Sequence, residues 1–165
     1  MSQKDRWRGA WPRRFGRRRG RVMVSEMVAD DLLDGVGRLA LFADLDRDEL
    51  AEIVSELTEV SFREGQWVVR RGDSDVGLHV IVEGEVGVVL DGEELATLPQ
   101  GSFFGEISAL LGEPAVADVV ARSALRCLYV PVDAVEGFLI ENPRVMWRML
   151  QTEARRLRTT DERRT

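Results

Sequence analysis

The chain has 165 residues, of which 44% are hydrophobic and 32% charged, and a formal net charge of −6. That length fits one compact domain rather than two substantial ones, and the hydrophobic content excludes disorder throughout. The charge is unevenly spread. Residues 1–21 carry nine basic side chains and one acidic one, whereas the rest of the chain carries a net charge of −14. A basic arm and an acidic body therefore need separate interpretations.

Composition also limits the chemistry. Cys127 and His79 are the only residues of their types, so we predict no intramolecular disulfide and no zinc site. A single histidine leaves no common nucleophile–base pair, and we predict no catalytic residues and no enzymatic activity. No apolar run reaches the roughly 18–20 residues that span a bilayer. With a lone cysteine and no signal peptide, we expect a cytoplasmic protein.

Residues 1–22 are interpreted as a disordered basic arm, because glycines and Pro12 interrupt any regular period. Aromatic residues lie between its arginines, at Trp7, Trp11 and Phe15. Such an arm could bind nucleic-acid phosphates or an anionic membrane surface. Alternatively, 22 of the 23 basic residues are arginine, as in a GC-rich genome, so the natural start could be Met23 or Met27. We favour an inert or mis-assigned arm over a binding one.

Helical patterns precede and follow a central β-rich region. Apolar residues recur at helical spacing over 23–41, and we expect Gly35 and Gly37 to divide them into two short helices. Asp46 followed by Glu49 predicts a capping box that opens another helix. Residues 23–57 are thus predicted as N-terminal helices.

Between residues 58 and 131, short β-rich runs recur every eight to ten residues and are separated by glycine turns. The predicted strands are Val60–Phe62, Trp67–Val69, Leu78–Val82, Val86–Leu90, Glu94–Leu98, Val116–Ala121 and Leu125–Val130. Asp91-Gly92 is a strong two-residue hairpin signal. The pattern predicts a mainly β domain with flanking helices, an antiparallel β-roll or jelly roll.

Residues 132–160 are predicted as C-terminal helices. One covers Val132–Ile140, and Asn142-Pro143 is an N-cap and N1 pair for a long helix that runs to about Arg158. Its apolar stripe includes Met146, Met149, Leu150 and Leu157. The stripe could pack on the β-roll or form a coiled-coil seam, and we favour a homodimer through this helix.

One short helix is predicted inside the β-rich region, over Glu106–Leu111, where a glycine turn at Gly105 opens it. A helix N-terminus presents unpaired N–H groups that suit an anion, and Glu106 could accept hydrogen bonds from a sugar hydroxyl. Taken alone, this local pattern favours a Glu106 that only complements the helix dipole.

From about Leu39 to Leu150 the chain resembles the cyclic nucleotide-binding domain family of catabolite-activator-type regulators, kinase regulatory subunits and cyclic-nucleotide-gated channels. The resemblance rests on Leu41–Leu45, Glu49-Leu50, Phe62, Gly65, Gly72, Val80–Val86 and the phosphate-binding cassette Phe104–Pro114. It implies that residues 23–165 form such a domain, a non-enzymatic, stand-alone sensor or regulatory module. The implied ligand is cyclic AMP, with no other cofactor.

The resemblance also implies roles for individual residues. Gly105 would let the backbone approach the sugar, and Glu106 would bind the ribose 2′-hydroxyl. Backbone groups of Ile107 and Ser108 would face the cyclic phosphate. The C-terminal helix would lie over the base as a lid, and its candidate contacts are Met146, Met149 and Leu150.

The chain departs from the family pattern at Ala115, where the family has an arginine that grips the phosphate, and Val116 follows without the hydroxyl of cyclic GMP binders. An ionic hydrogen bond contributes about 1.5–3 kcal/mol, and an unpaired buried charge costs about 3–5 kcal/mol, so the expected loss of affinity is about one to three powers of ten. Asp118 adds negative charge nearby, and Arg122 and Arg126 are the nearest basic candidates for compensation. We therefore expect weak binding of cyclic AMP. The alternative is a ligand-free dimerisation or protein-interaction scaffold.

Two further expectations concern the rest of the chain. Only seven residues follow Arg158, so we expect no DNA-binding domain. His79, Trp67, Phe62 and Cys127 are predicted to serve in packing rather than in ligand binding.

Overall fold

Two four-stranded antiparallel sheets form the centre of the computed structural model, which describes residues 26–164. The strands are β1 Thr58–Phe62, β2 Trp67–Val69, β3 Leu78–Glu83, β4 Val86–Leu90, β5 Glu93–Leu98, β6 Phe103–Phe104, β7 Asp118–Ala121 and β8 Leu125–Val130. The strand orders are β1-β8-β3-β6 and β2-β7-β4-β5. The predicted antiparallel β-roll is therefore confirmed. The predicted arm, residues 1–22, lies outside the described residues.

Helices precede, interrupt and follow the strands. They are α1 Glu26–Gly37, a 3₁₀ helix Ala40–Phe42, α2 Arg47–Glu56, α3 Glu106–Leu111, α4 Val132–Glu141 and α5 Pro143–Arg164. No helix within residues 26–164 is both long enough and apolar enough to cross a membrane.

Alternation along β3 and β8 divides the buried side chains into two clusters. Leu78, Val80 and Leu128 face the helices, where they join Phe42 and Val145 in one apolar core. The intervening residues face the other way, between the two sheets, where Ile81 and Cys127 pack with Val69 and Phe104. Side chains at alternate positions of a strand point to opposite faces, so the β-roll has an interior distinct from the helical core.

Short sequence motifs determine the start of one helix and one turn between strands. Asp46 and Glu49 form the predicted capping box, in which each side chain accepts a hydrogen bond from the other's backbone N–H, at 2.9 and 3.0 Å. Asp91 and Gly92 both have positive φ, 52° and 80°, as a type I′ hairpin requires. The hairpin between β4 and β5 is confirmed.

Three local predictions were right only in part. Helix α1 runs through Gly35 and ends at Gly37, because one interior glycine costs a helix only about 1 kcal/mol and Val36 beside it is fully buried. Helix α5 begins at Pro143, as predicted, and the carbonyl oxygen of Asn142 accepts its first hydrogen bond, from Met146 N at 3.1 Å. The side chain of Asn142, however, donates to the carbonyl oxygen of Phe138 at 2.8 Å at the end of α4 instead of capping α5. Helix α5 continues past Arg158 to Arg164, since no glycine or proline stops it.

The candidate functional site: the cassette cavity

A cavity of about 240 Å³ opens between the sheets beside α3. We call it the cassette cavity, because the predicted residues Gly105, Glu106, Ile107 and Ser108 line it together with Ala115 and Val116. Most of its other lining side chains are valines and phenylalanines, and Arg156 of α5 completes it. The six cassette residues expected to surround a ligand are thus brought together.

Gly105 joins β6 to α3 in a conformation that only glycine adopts easily. Its φ is 83°, and a Cβ at this position would collide with the carbonyl oxygen of Gly77. The close approach lets α3 begin directly against the segment that leads into β3. A side chain here would displace Glu106 from the cavity wall.

Glu106 is 3% exposed and is ion-paired to a residue far away in the sequence. Nη1 of Arg156 donates to Glu106 Oε1 at 2.9 Å and to Glu153 Oε1 at 2.9 Å. Nη2 of Arg156 donates to the carbonyl oxygen of Phe103 at 3.0 Å, and the guanidinium lies 4.5 Å from the centroid of the Phe103 ring. Helix α5 therefore closes one side of the cavity through a single arginine.

The charge state of Glu106 is set by opposing neighbours. Burial first, and then the Glu153 carboxyl, raise its pKa, the Arg156 guanidinium opposes both, and the net pKa is about 8. We conclude that the pKa of Glu106 lies well above the usual carboxyl range. The cavity wall can hold a proton at this position near neutral pH.

The position of the missing arginine is closed to solvent. Ala115 is 8% exposed, and its backbone is hydrogen-bonded to the loop after β2, with Gly72 N donating to Ala115 O at 2.8 Å and Ala115 N donating to Asp73 O at 2.9 Å. The methyl group packs in the interior cluster with Val69 and Phe104. Nothing at this position can pair with a phosphate.

The candidates for compensation are engaged elsewhere. Arg122 pairs with Glu94 at 3.2 Å, and Arg126 pairs with Glu59 at 2.6 Å and with Glu83 at 3.1 Å. Asp118 Oδ1 accepts a hydrogen bond from the backbone N–H of Arg71 at 2.7 Å. Among the described residues that line the cassette cavity, Arg156 is the only cation.

The expected lid residues lie elsewhere than on the cavity. Met149 is buried in the core between the helices and the sheet, and Met146 and Leu150 are 40% and 58% exposed. Only Arg156, farther along α5, reaches the cavity. The sequence held one signal for it: Val145, Met149 and Arg156 recur at the spacing of one helix face.

Two other packing predictions have different outcomes. Cys127 is fully buried, as predicted, but Trp67 is 42% exposed and lies under the guanidinium of Arg70, 4.2 Å from the ring centroid. Within the part of the chain that the structure describes, no group of three or more His, Cys, Asp or Glu residues could hold a metal ion.

Comparison with known proteins agrees with this geometry. The family model described as "Cyclic nucleotide-binding domain" matches residues 59–142. The chain belongs to the cyclic nucleotide-binding domain family. Glutaminase 2 of Bradyrhizobium diazoefficiens is 35% identical over 120 residues, which make up 72% of this chain and 19% of that protein. The chain thus spans about a fifth of the length of this relative.

Solved structures of the family share the fold. One is the N-terminal domain of a transcriptional regulator from Streptomyces coelicolor A3(2), with 30% identity and a TM-score of 0.57 over 78% of this chain and 93% of that one. Another is the Thermus thermophilus catabolite activator protein, with 26% identity and a TM-score of 0.67 over 75% and 61% of the two chains. Domains of this family are generally regulatory rather than catalytic, so the fold indicates a regulatory or sensor module.

Proposed function

We propose that this chain is a non-catalytic regulatory module whose cassette cavity binds a cyclic AMP-like nucleotide weakly. The observation that carries the proposal is Glu106, a buried carboxyl on the cavity wall that is held by Arg156 of α5 at 2.9 Å. A sugar hydroxyl that donates to Glu106 competes with that ion pair. Ligand binding and the position of α5 are therefore linked.

Weak binding follows from the charges on the cavity wall. Ala115 supplies no charge, and the one lining cation, Arg156, already donates hydrogen bonds to the carboxyl groups of Glu106 and Glu153. A cyclic phosphate entering this cavity would lose its hydration without gaining a free cation. The apolar walls and the cassette backbone would supply the remaining affinity.

Substitution of Ala115, the residue that departs from the family pattern, tests the proposal directly. We expect Ala115→Arg to raise the affinity for cyclic AMP about 10- to 100-fold, because one ionic hydrogen bond contributes about 1.5–3 kcal/mol. Isothermal titration calorimetry measures the affinity of both proteins for cyclic AMP and cyclic GMP.

A matched control is Ala124→Arg, which adds the same side chain at an exposed turn away from the cavity. It should bind like the unmodified chain. If neither the unmodified chain nor a folded Ala115→Arg variant gives heat at millimolar nucleotide, the proposal is wrong.

The second candidate is a ligand-free scaffold that dimerises through α5. It is favoured by the exposed apolar side chains of that helix, since Trp147, Leu150 and Leu157 are 60%, 58% and 67% exposed. Leu150 and Leu157 lie about a quarter turn around the helix from Met149 and Arg156, and Trp147 lies on the far side. A homodimer would cover them.

A cytoplasmic location and an inert N-terminal arm stay predictions. The activity and partners of a longer protein that contained these residues would be set by segments outside them, as the partial coverage of glutaminase 2 illustrates. For residues 26–164 we propose no catalytic role.

A further inference from the structure

A second cavity lies inside the β-roll, next to the cassette cavity. Val69 and Val76 line both. We call the second one the lateral cavity. It has a volume of about 440 Å³, within the roughly 300–1,000 Å³ of typical small-molecule sites. Its polar and aromatic lining residues are Phe62, Asp73, Ser74, Asp75, His79 and Tyr129. None of these residues belongs to the cassette, so the lateral cavity shares two valines with the cassette cavity but none of its polar groups.

His79 brings an unused hydrogen-bond acceptor to this compartment. The residue is only 8% exposed, and its Nδ1 lies 3.1 Å from the carbonyl oxygen of Gly77. A carbonyl oxygen can only accept, so Nδ1 carries the hydrogen and Nε2 is left with a lone pair. Nε2 has no hydrogen-bond partner among the described residues. Burial lowers the pKa of His79 to about 4, so the ring is neutral at pH 7.

The other polar groups that border the lateral cavity are the carboxylates of Asp73 and Asp75 and the hydroxyls of Ser74 and Tyr129, which can donate or accept. Within residues 32–164, the Asp75 carboxylate and the Tyr129 hydroxyl have no hydrogen bond or ion pair. Burial first, and then the carboxylates of Asp75 and Asp133, raise the pKa of Tyr129. Asp73 uses Oδ2 to accept the backbone N–H of Arg70 at 2.9 Å. No described lysine or arginine lines the cavity.

Aromatic rings surround His79 at the lateral cavity. The His79 ring stacks on Phe104, with 4.7 Å between centroids and 8° between planes. Tyr129 lies 4.8 Å and Phe62 6.4 Å from the His79 centroid. Aromatic faces attract cations as well as apolar groups, and the attraction strengthens where water is excluded. Carboxylates, aromatic faces and a free acceptor together select a positively charged donor.

We propose that the lateral cavity is a binding site for a small organic cation, a primary ammonium on an aromatic or short aliphatic body. Its N–H groups donate to His79 Nε2, its charge lies beside Asp75, and its body packs on Phe62 and Tyr129. This ligand class is opposite in charge to a cyclic nucleotide. The proposal does not depend on the cassette, so either one can fail without the other.

The test uses benzylamine as the probe and the whole chain without a histidine tag. Because His79 is the only histidine, its ring ¹⁵N signals are unambiguous in NMR spectra. We expect saturable shifts of the His79 Nε2 signal and of the backbone amides of residues 73–76 and 129. Benzyl alcohol, which is neutral, and benzoate, which is negative, should each produce at least tenfold weaker binding or none.

Two variants and a matched control assign the contacts. Asp75→Asn removes an exposed charge, and we expect about two- to fivefold weaker benzylamine binding, as for an exposed ion pair. His79→Phe keeps an aromatic ring and removes the acceptor, and it should weaken binding further. Asp91→Asn makes the same Asp-to-Asn change outside the cavity and should leave binding unchanged. A thermal melt of each variant checks that it folds.

Three results would overturn the proposal. The first is equal binding of benzylamine and benzyl alcohol, which would make the cavity merely apolar. The second is benzylamine shifts confined to residues 105–108, which would place the probe in the cassette. The third is the absence of saturable shifts, or affinity unchanged in both a folded Asp75→Asn and a folded His79→Phe variant.

Discussion

The guanidinium of Arg156 is the point at which the site and helix α5 meet. It contacts Glu106, Glu153 and the Phe103 carbonyl at 2.9–3.0 Å. The sequence identifies Glu106 through its resemblance to the cyclic nucleotide-binding domain family, because the glycine turn before a short helix, taken alone, favours a carboxyl that only complements the helix dipole. It does not find Arg156, which lies 50 residues away and is one of 22 arginines. Which residues pair across such a distance in the sequence depends on tertiary packing, so the local spacing of residues gives little indication of it.

Glu106 makes the stability of the fold depend on pH. Its folded-state pKa of about 8 lies above the ordinary value of 4.5, so between these values the folded chain binds more protons than the unfolded one. The free energy of unfolding therefore falls as pH rises from 4.5 to 8. We expect Glu106→Gln to remove this contribution, so the wild type should lose on the order of 1–3 kcal/mol relative to the variant between pH 5 and 8.

Urea denaturation at pH 5, 6.5 and 8 measures the difference between the two proteins. The low pKa of His79 gives a contribution of opposite sign below pH 6.5, but it is common to both proteins and cancels. Glu113→Gln changes an exposed carboxyl, and its free energy of unfolding should depend on pH in the same way as that of the wild type. A Glu106→Gln curve that also stays parallel to the wild type would contradict the raised pKa.

At the scale of elements, predictions from sequence succeeded where a local chemical signal marks an end. Asp46 with Glu49 marks the start of α2, and Asp91-Gly92 marks the turn between β4 and β5. Strand β6 was not predicted, because Phe103-Phe104 is too short to show alternation. The far end of α5 was also misplaced, since nothing in its sequence marks an end.

The capping box gives an element-scale prediction. Replacement of Asp46 by alanine leaves the N-terminal N–H groups of α2 without their side-chain acceptor. We expect the free energy of unfolding to fall by about 1 kcal/mol, within the 0.5–2 kcal/mol typical of lost caps. Asp46→Asn keeps an acceptor oxygen and should recover most of the loss in urea denaturation. Equal losses in both variants would mean that the charge, rather than the cap, stabilises α2.

At the scale of the whole molecule, α5 has two faces with different tasks. Val145, Met149 and Arg156 face the rest of the chain, and Arg148 adds hydrogen bonds of 2.6 and 2.7 Å to the Asp44 carboxylate. A neighbouring face, about a quarter turn around the helix, exposes the apolar side chains of Leu150 and Leu157. A sequence pattern shows that the helix has apolar residues on more than one side. Only the packed structure shows which of them are buried against the rest of the chain.

The exposed face predicts the oligomeric state. We expect a homodimer in which Leu150 is covered, and we expect Leu150→Asp to shift it to monomer because a buried carboxylate cannot be paired there. Sedimentation velocity measures the mass with and without cyclic AMP. Thr159→Asp adds the same charge on the other side of α5 and should remain dimeric. A wild-type monomer at high concentration would exclude the scaffold candidate.

The position of Arg156 also affects where the boundary of a fragment for ligand-binding experiments should be placed. The match to the family model ends at residue 142, and all of α5, with Arg156 and Glu153, lies beyond that boundary. A fragment trimmed there would keep Glu106 but lose both the cation that pairs with it and the carboxyl that competes for its proton. Its cavity would be wider and more acidic than that of the intact chain. Ligand screens on such a fragment would describe a different receptor.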